Sequence, residues 1–214
     1  MARIVITSGP TRQYLDPVRY LTNGSSGRMG SALAEAALQL GHEVIVVSGP
    51  VSVTYPPGAK VIDVISTEEM LEATKQAFAT ADGLIGAAAP CDYMPRQIEK
   101  YKLHKTGDGL QLSLVETPDI VASLGAAKRS DQWVVGFALE TEDIRFRAIV
   151  KMSRKCCNMM VSNSAEAMNS DENSVEVILQ DGSVLGQLFG PKAEVARGIL
   201  GHIQTHLIAK RASQ

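Results

Sequence analysis

The chain reads as a doubly wound α/β domain with a mostly parallel sheet. Short β-branched apolar runs end at Gly, Pro or Ser; apolar residues recur at helical spacing between them; and the connections have the length of βαβ units.

Residues 3–7, stopped by Ser8-Gly9-Pro10, predict a buried first strand. A long polar loop follows. Met29, Leu33, Ala36, Ala37 and Leu40 then predict a helix over 26–41, with Ser26 as its cap and Gly41 at its end. Residues 43–47 and 60–65 predict two more strands. Ser66-Thr67-Glu68-Glu69 supplies a capping box for a helix carrying Met70, Leu71, Ala77 and Phe78. A strand over 83–89 ends in Ala87-Ala88-Ala89, where small side chains let a ligand approach the backbone.

Residues 90–110 carry no sustained period but hold Arg96, Lys100, Lys102, His104 and Lys105 among Pro and Gly, as expected of a mobile basic flap. Helix 118–127, strand 133–139, helix 143–155 and strand 158–162 continue the alternation. Residues 175–179 and 184–188 flank Gln180-Asp181-Gly182-Ser183 and predict a C-terminal β-hairpin, about 174–189. A last helix runs from Pro191 through Val195, Ile199, Ile203 and Leu207. There is no internal repeat, so 1–214 reads as one Rossmann-like domain, whose ligands should bind just beyond the strands' carboxyl ends.

Composition narrows the function. The 214 residues are 45% apolar and 21% charged, enough for one substantial core. With 21 basic and 23 acidic residues and a net charge of −2, nothing calls for nucleic acid. No apolar run spans a bilayer, and Met1-Ala2-Arg3 enters the first strand without a signal-peptide core, so a cytoplasmic protein is expected. Cys91, Cys156 and Cys157 fit no CxxC metal spacing; Cys156 and Cys157 read as reduced packing residues. His202 and His206 stand one helical turn apart with no third ligand and are assigned no role.

The loop after the first strand holds the chemistry. Ser8-Gly9-Pro10-Thr11-Arg12 and Thr22-Asn23-Gly24-Ser25-Ser26-Gly27-Arg28-Met29-Gly30 bring backbone N–H groups, hydroxyls and a helix N-terminus together, the makings of an anion site. The glycine spacing matches neither GxGxxG nor Walker A, and on its own leaves phosphate binding and tight-turn chemistry equally open.

The run from Asp16 to Gly30 closely resembles the DPVRxxxNxSSGxMG signature of phosphopantothenoylcysteine synthetases, the bacterial CTP-dependent phosphopantothenate–cysteine ligases, preceded as in that family by ITxGxTR at Ile6 to Arg12. Further matches follow in order: Ser48-Gly49-Pro50; Ala87-Ala88-Ala89 with Asp92-Tyr93 and Pro95; Lys102 and Lys105; Gly136-Phe137-Ala138 with Glu140-Thr141; Ser162-Asn163; and Ser170-Asp171-Glu172-Asn173. Where relatives have Ala-Val-Ala-Asp this chain has Ala89-Pro90-Cys91-Asp92, and Met168-Asn169 departs from their pattern before the last motif.

The resemblance implies a ligase of coenzyme A biosynthesis. The carboxylate of 4′-phosphopantothenate attacks the α-phosphate of CTP, releasing pyrophosphate, and cysteine's amine then displaces CMP from the acyl-cytidylate. It implies Mg²⁺ with CTP as co-substrate, no flavin, a homodimer to which the C-terminal hairpin contributes, and a free-standing chain working beside a separate phosphopantothenoylcysteine decarboxylase. Carried over by residue, Gly9, Ser25 and Ser26 contact phosphate; Ala88, Ala89 and Phe137 surround the base; Asp92 accepts from the ribose hydroxyls; Lys102, with Lys105 nearby, neutralises the triphosphate; Arg19 and Asn23 face the pantothenate. Asn23 and Lys102 are the catalytic candidates. Phosphoryl-type transfer needs positioning and charge neutralisation more than a protein nucleophile, so no Ser-His-Asp set is required.

Two other classes remain open from the residues alone. An NAD(P)- or flavin-dependent reductase also begins with a strand, glycine-rich loop and helix, but GxGxxG and an acidic end to the second strand are missing, that strand running into Ser48-Gly49. The other is a non-catalytic nucleotide-binding partner.

Overall fold

The computed structural model describes residues 1–140, 143–164 and 172–209. Thr141 and residues 165–171, including Met168-Asn169 and Ser170-Asp171, lie outside them. Five parallel connections build the sheet from β1 (Arg3–Ser8), β4 (Glu43–Ser48), β5 (Lys60–Asp63), β6 (Gly83–Gly86), β9 (Trp133–Glu140) and β10 (Met159–Ser164). The antiparallel hairpin β11 (Glu172–Leu179) and β12 (Val184–Pro191) completes an eight-stranded order β12-β11-β10-β9-β6-β1-β4-β5. The helices are α1 (Arg28–Gln39), α2 (Thr67–Phe78), α3 (Ile120–Ala127), α4 (Ile144–Arg154) and α5 (Lys192–Ile203), the last running into a π-helical turn, Gln204–Ala209.

Period-two alternation on strands buried from both sides divides the core. Ile4, Ile6, Val44, Val46 and Val135 point to the layer of α1 and α5, against Leu33, Ala37, Ile199 and Ile203. Val5, Val47, Leu84, Val134 and Met160 point the other way, onto Met70 and Phe78 of α2, Leu124 of α3 and Met152 of α4. Truncating a fully buried side chain such as Leu33 to Ala would cost about 2–5 kcal/mol.

Helix α2 starts as its sequence dictates: Ser66 accepts from Glu69 N while the Glu69 carboxylate accepts from Ser66 N, a complete capping box. Gly41, at φ 80, ends α1. The start of α1 differs from expectation. Ser26 is not its cap; the N-cap is Gly27 at φ 74, a left-handed conformation that Ser would adopt only under strain. The polar loop after β1 contains a small antiparallel ladder, β2 (Arg12–Tyr14) with β3 (Tyr20–Thr22), and strand β6 stops at Gly86, so Ala87-Ala88-Ala89 leave the sheet. The flap is also partly regular, for β7 (Tyr93–Pro95) pairs with β8 (Leu114–Glu116) at its base. Cys157 is buried, but Cys156 is exposed at φ 52 and is not a packing residue.

Candidate active site at the switch in strand order

After β5 the chain crosses to the far side of β1 and continues at β6, so the crevice of the fold opens beyond the carboxyl ends of these two neighbours. Their loops are bonded to each other. Ala89 N donates to Gly9 O at 2.9 Å, Ala88 N donates to Thr7 Oγ1 at 3.3 Å, and Pro10 and Ala89 form an isolated parallel bridge. Beneath them lies a buried hydroxyl cluster. Thr67 Oγ1 donates to the Cys91 carbonyl at 3.2 Å, and each hydroxyl has one hydrogen, so Thr11 Oγ1 is the donor in its 2.8 Å bond to Thr67. Thr11 Oγ1 accepts from Cys91 N at 2.8 Å, and Thr117 Oγ1 adds a 2.6 Å bond to the same carbonyl. The loop, helix α2 and Thr117, the residue after β8 (Leu114–Glu116), thus fix the peptide next to Asp92.

The loop between β3 and α1 is pinned at both ends. Thr22 Oγ1 donates to Thr11 O at 2.8 Å, and the Asn23 side-chain amide donates to Pro90 O at 2.8 Å and Ala89 O at 3.4 Å. Gly30 brings α1 hard against β1: a Cβ there would stand 2.1 Å from Ser8 Oγ. The first turn of α1 contains no acidic residue, and Ser25, half-buried, and Ser26, exposed, flank it. The first-turn N–H groups, of which Arg28 N donates to Ser26 Oγ at 3.5 Å, and the positive end of the helix dipole make this helix start favourable for an anion.

Ala88, Asp92 and Phe137 come together around a cavity of about 480 Å³ that Thr7, Arg154 and Lys155 also line. Gly9, Ser25, Ser26 and Ala89, the last expected beside Ala88, do not line it; Ala89, bonded to Gly9, joins the two halves. Arg154 and Lys155 were not anticipated. Two cations in the last turn of a helix complement its dipole and give no other sign in the sequence. Lys155 Nζ is 3.0 Å from Asp119 Oδ2, the cap of α3. A cavity of about 700 Å³ lies at the opposite, amino-terminal ends of β4 and β5, around Arg3, His42 and Lys60, away from every loop described here.

The flap departs from this crevice and is anchored along its first half. Arg96 N donates to Ser113 O and Glu99 N to Leu15 O, each at 2.9 Å. Leu103 N donates to Asp16 Oδ2 at 3.0 Å, and Arg19 Nη1 donates to Leu103 O at 3.0 Å and to Asp16 Oδ2 at 2.7 Å. Arg19, expected at the pantothenate, therefore commits one guanidinium nitrogen to the flap. Burial pushes the Asp16 carboxyl up, but the N–H groups of Val18, Leu103 and Arg19 and the Arg19 charge outweigh it and hold the group at about 2. Lys102 and Lys105 are exposed. Among the described residues no cluster of three or more His, Cys, Asp or Glu could hold a metal ion, and no helix is long and apolar enough to cross a membrane.

A helix N-terminus behind one loop and a cavity beside the other, at the switch point of the sheet, place the chain in the class of doubly wound α/β domains with a ligand crevice at the carboxyl ends of the strands. Residues 1–207 match the family described as the DNA/pantothenate metabolism flavoprotein C-terminal domain, and the chain belongs to that family. It is 43% identical over 187 residues to the coenzyme A biosynthesis bifunctional protein CoaBC of Vibrio parahaemolyticus, covering 85% of this chain and 47% of that protein. With its Bacillus subtilis counterpart it shares 43% over 184 residues, covering 84% and 45%. The chain thus spans about half the length of these curated relatives. A solved structure of a CoaBC C-terminal domain superposes with TM-score 0.82 at 38% identity, covering 96% of this chain and 97% of that domain. A Cab2 variant in complex with phosphopantothenate-cysteine shares the fold, with TM-score 0.81 at 16% identity, covering 99% of this chain and 87% of that one. The resemblance to phosphopantothenoylcysteine synthetases seen in the Asp16 to Gly30 signature is borne out: this is the synthetase-type domain of coenzyme A biosynthesis proteins.

Proposed function

We propose that the chain joins 4′-phosphopantothenate to L-cysteine through an acyl-cytidylate, consuming CTP and releasing pyrophosphate and CMP. The observation that carries this reading is the bonded pair of loops at the switch point, Gly9 to Ala89 and Asn23 to Pro90, which sets an anion-binding helix end beside a cavity lined by Ala88, Asp92 and Phe137.

In the first half-reaction Gly9, Ser25, Ser26 and the α1 N-terminus hold the phosphates, while the Ala88 and Ala89 backbone and the Phe137 side chain hold the base. Asp92 accepts from the ribose hydroxyls. Lys102 meets the charge that builds as pyrophosphate leaves, and Lys155, at the cavity wall, adds a second cation. Mg²⁺ fits as a companion of the nucleotide: Asp92, Glu116 and Asp119 line the cavity, but among the described residues no three such groups cluster to hold a metal by themselves, and Mg²⁺ is usually held largely by substrate phosphates and water, where it would neutralise charge. In the second half-reaction Asn23 donates to the acyl oxygen as cysteine's amine attacks, and Arg19 orients the pantothenate. Both steps are redox-neutral, so the reading needs no flavin or nicotinamide. A decarboxylase acting on the product would be the partner enzyme.

A homodimer belongs to the same proposal. The edge strand β12, which carries the exposed Phe189, offers one surface, and the flap and its base, with exposed Tyr93, Ile98, Tyr101 and Leu110, offer a second apolar one. Light scattering at micromolar concentration should give twice the chain mass; a monomer would contradict the dimer. The ligase reading is tested by incubating the chain with CTP, Mg²⁺ and phosphopantothenate without cysteine. Mass spectrometry should find the acyl-cytidylate, and replacing CTP with NADPH should give no oxidation. NADPH consumption without acyl-cytidylate would favour the reductase reading.

A further inference from the structure

We propose that Asp16 is a positioning residue that latches the flap and so sets where Lys102 stands. What Lys102 does there rests on the ligase reading; the latch itself does not.

The two oxygens of Asp16 have separate tasks. Oδ1 accepts from Val18 N and Arg19 N, both at 2.8 Å, and closes the turn that Pro17 begins. Oδ2 reaches across 87 residues of sequence to Leu103 N and also accepts from Arg19 Nη1. A surface turn needs only the first oxygen. Here the whole side chain is buried, at 0% exposure, and a buried carboxylate is tolerated only when donors surround it. Four donors do so, and one comes from the flap. Arg19 closes the ring by donating to the Leu103 carbonyl, so both peptide faces of Leu103 are held.

Lys102 immediately precedes this anchor. Residues 104–114 are exposed. Glu99 and Leu103, four residues apart, are therefore the points at which the flap is fastened to the 15–19 turn, and Lys102 lies inside the fastened part while Lys105 lies beyond it. With its pKa held at about 2, the carboxyl is ionised at physiological pH, so protonation does not open the latch.

The isosteric Asp16→Asn tests it. Asparagine keeps an acceptor at Oδ1 but turns an N–H₂ donor toward two donors at the Oδ2 position. In the wild-type chain the Leu103 amide should exchange its hydrogen roughly tenfold more slowly than those of His104 and Lys105, the protection that one or two ordinary hydrogen bonds supply. In Asp16→Asn that difference should vanish, and tryptic cleavage after Lys100 and Lys102 should accelerate about tenfold relative to cleavage after Lys105, which lies beyond the latch. In turnover assays the KM for CTP should rise about tenfold with a smaller change in kcat, because binding must now also order the flap. A variant that is merely less stable would lose active fraction instead, lowering kcat at constant KM. Leu103 exchanging as fast as His104 in the wild type would overturn the latch, even if Asp16→Asn does not fold; so would a flap equally resistant to trypsin in a folded Asp16→Asn. If the wild type makes no amide at all, the ligase reading fails while exchange and proteolysis still decide the latch.

Discussion

Asn23 donates its side-chain amide to the carbonyl of Pro90, 67 residues away, at 2.8 Å, and a longer bond runs to Ala89 at 3.4 Å. The residue proposed to act on the acyl oxygen thus also clips the loop before α1 to the loop that carries Asp92.

Asn23→Asp replaces that donor with an acceptor facing two carbonyls. A lost oxyanion donor costs about 2.7–4 kcal/mol of barrier, so amide formation should slow roughly 10²–10³-fold while nucleotidyl transfer is affected less. Quenched reactions should show acyl-cytidylate accumulating after cysteine is added. Absence of the intermediate would place Asn23 in binding or in the first step, and near-normal turnover would leave it as a loop clip alone.

The two flap lysines should separate. Lys102→Gln should lower acyl-cytidylate formation about 10²-fold or more, as expected for loss of a preorganised charge at the transition state. Lys105→Gln, beyond the anchored part of the flap, should change it less than about tenfold. The reverse order in single-turnover assays would reassign the pair.

The sequence made legible what local physics decides. The capping box at Ser66 and Glu69, the strands around Ile4 and Val134, and the hairpin at Asp181-Gly182 all lie where propensity and period put them. What escaped depends on distant partners or on too few residues. The ladders at Arg12–Tyr14 and Tyr93–Pro95 are three residues long and carry no period. The cap of α1 fell to Gly27 because the backbone there is left-handed, a condition that Ser26 does not announce. Of the candidate site, Gly9, Asn23, Ala88, Ala89, Asp92 and Phe137 are gathered at the switch point, whereas Ser25 and Ser26 stand at the helix end. Lys155 and the tie from Asp16 to Leu103 needed the folded chain, since each joins segments with no local signal.

Thr67→Val should destabilise the chain while keeping its shape. The hydroxyl is fully buried and bonds Thr11 and the Cys91 carbonyl; its loss leaves the buried Thr11 hydroxyl without an acceptor, at about 1–3 kcal/mol, while the Cys91 carbonyl keeps its bond from Thr117. Thermal unfolding should move down by about 2–4 °C per kcal/mol, and an unchanged midpoint would mean that water replaces the bond.

The three thiols should differ sharply. Burial pushes Cys157 up to about 12 and Cys91 above its usual value, so both stay protonated and inaccessible near pH 8, while Cys156 is exposed. A thiol reagent should titrate one group quickly in the native chain and three after denaturation. Fast native labelling of Cys157 would contradict the buried placement.

The most direct test supplies the purified chain with CTP, Mg²⁺, 4′-phosphopantothenate and L-cysteine and measures pyrophosphate, CMP and amide product together. The ligase reading predicts that all three appear in equal amounts and that omitting phosphopantothenate abolishes pyrophosphate release. Unchanged phosphopantothenate with no pyrophosphate, from a chain that is folded and dimeric, would contradict it.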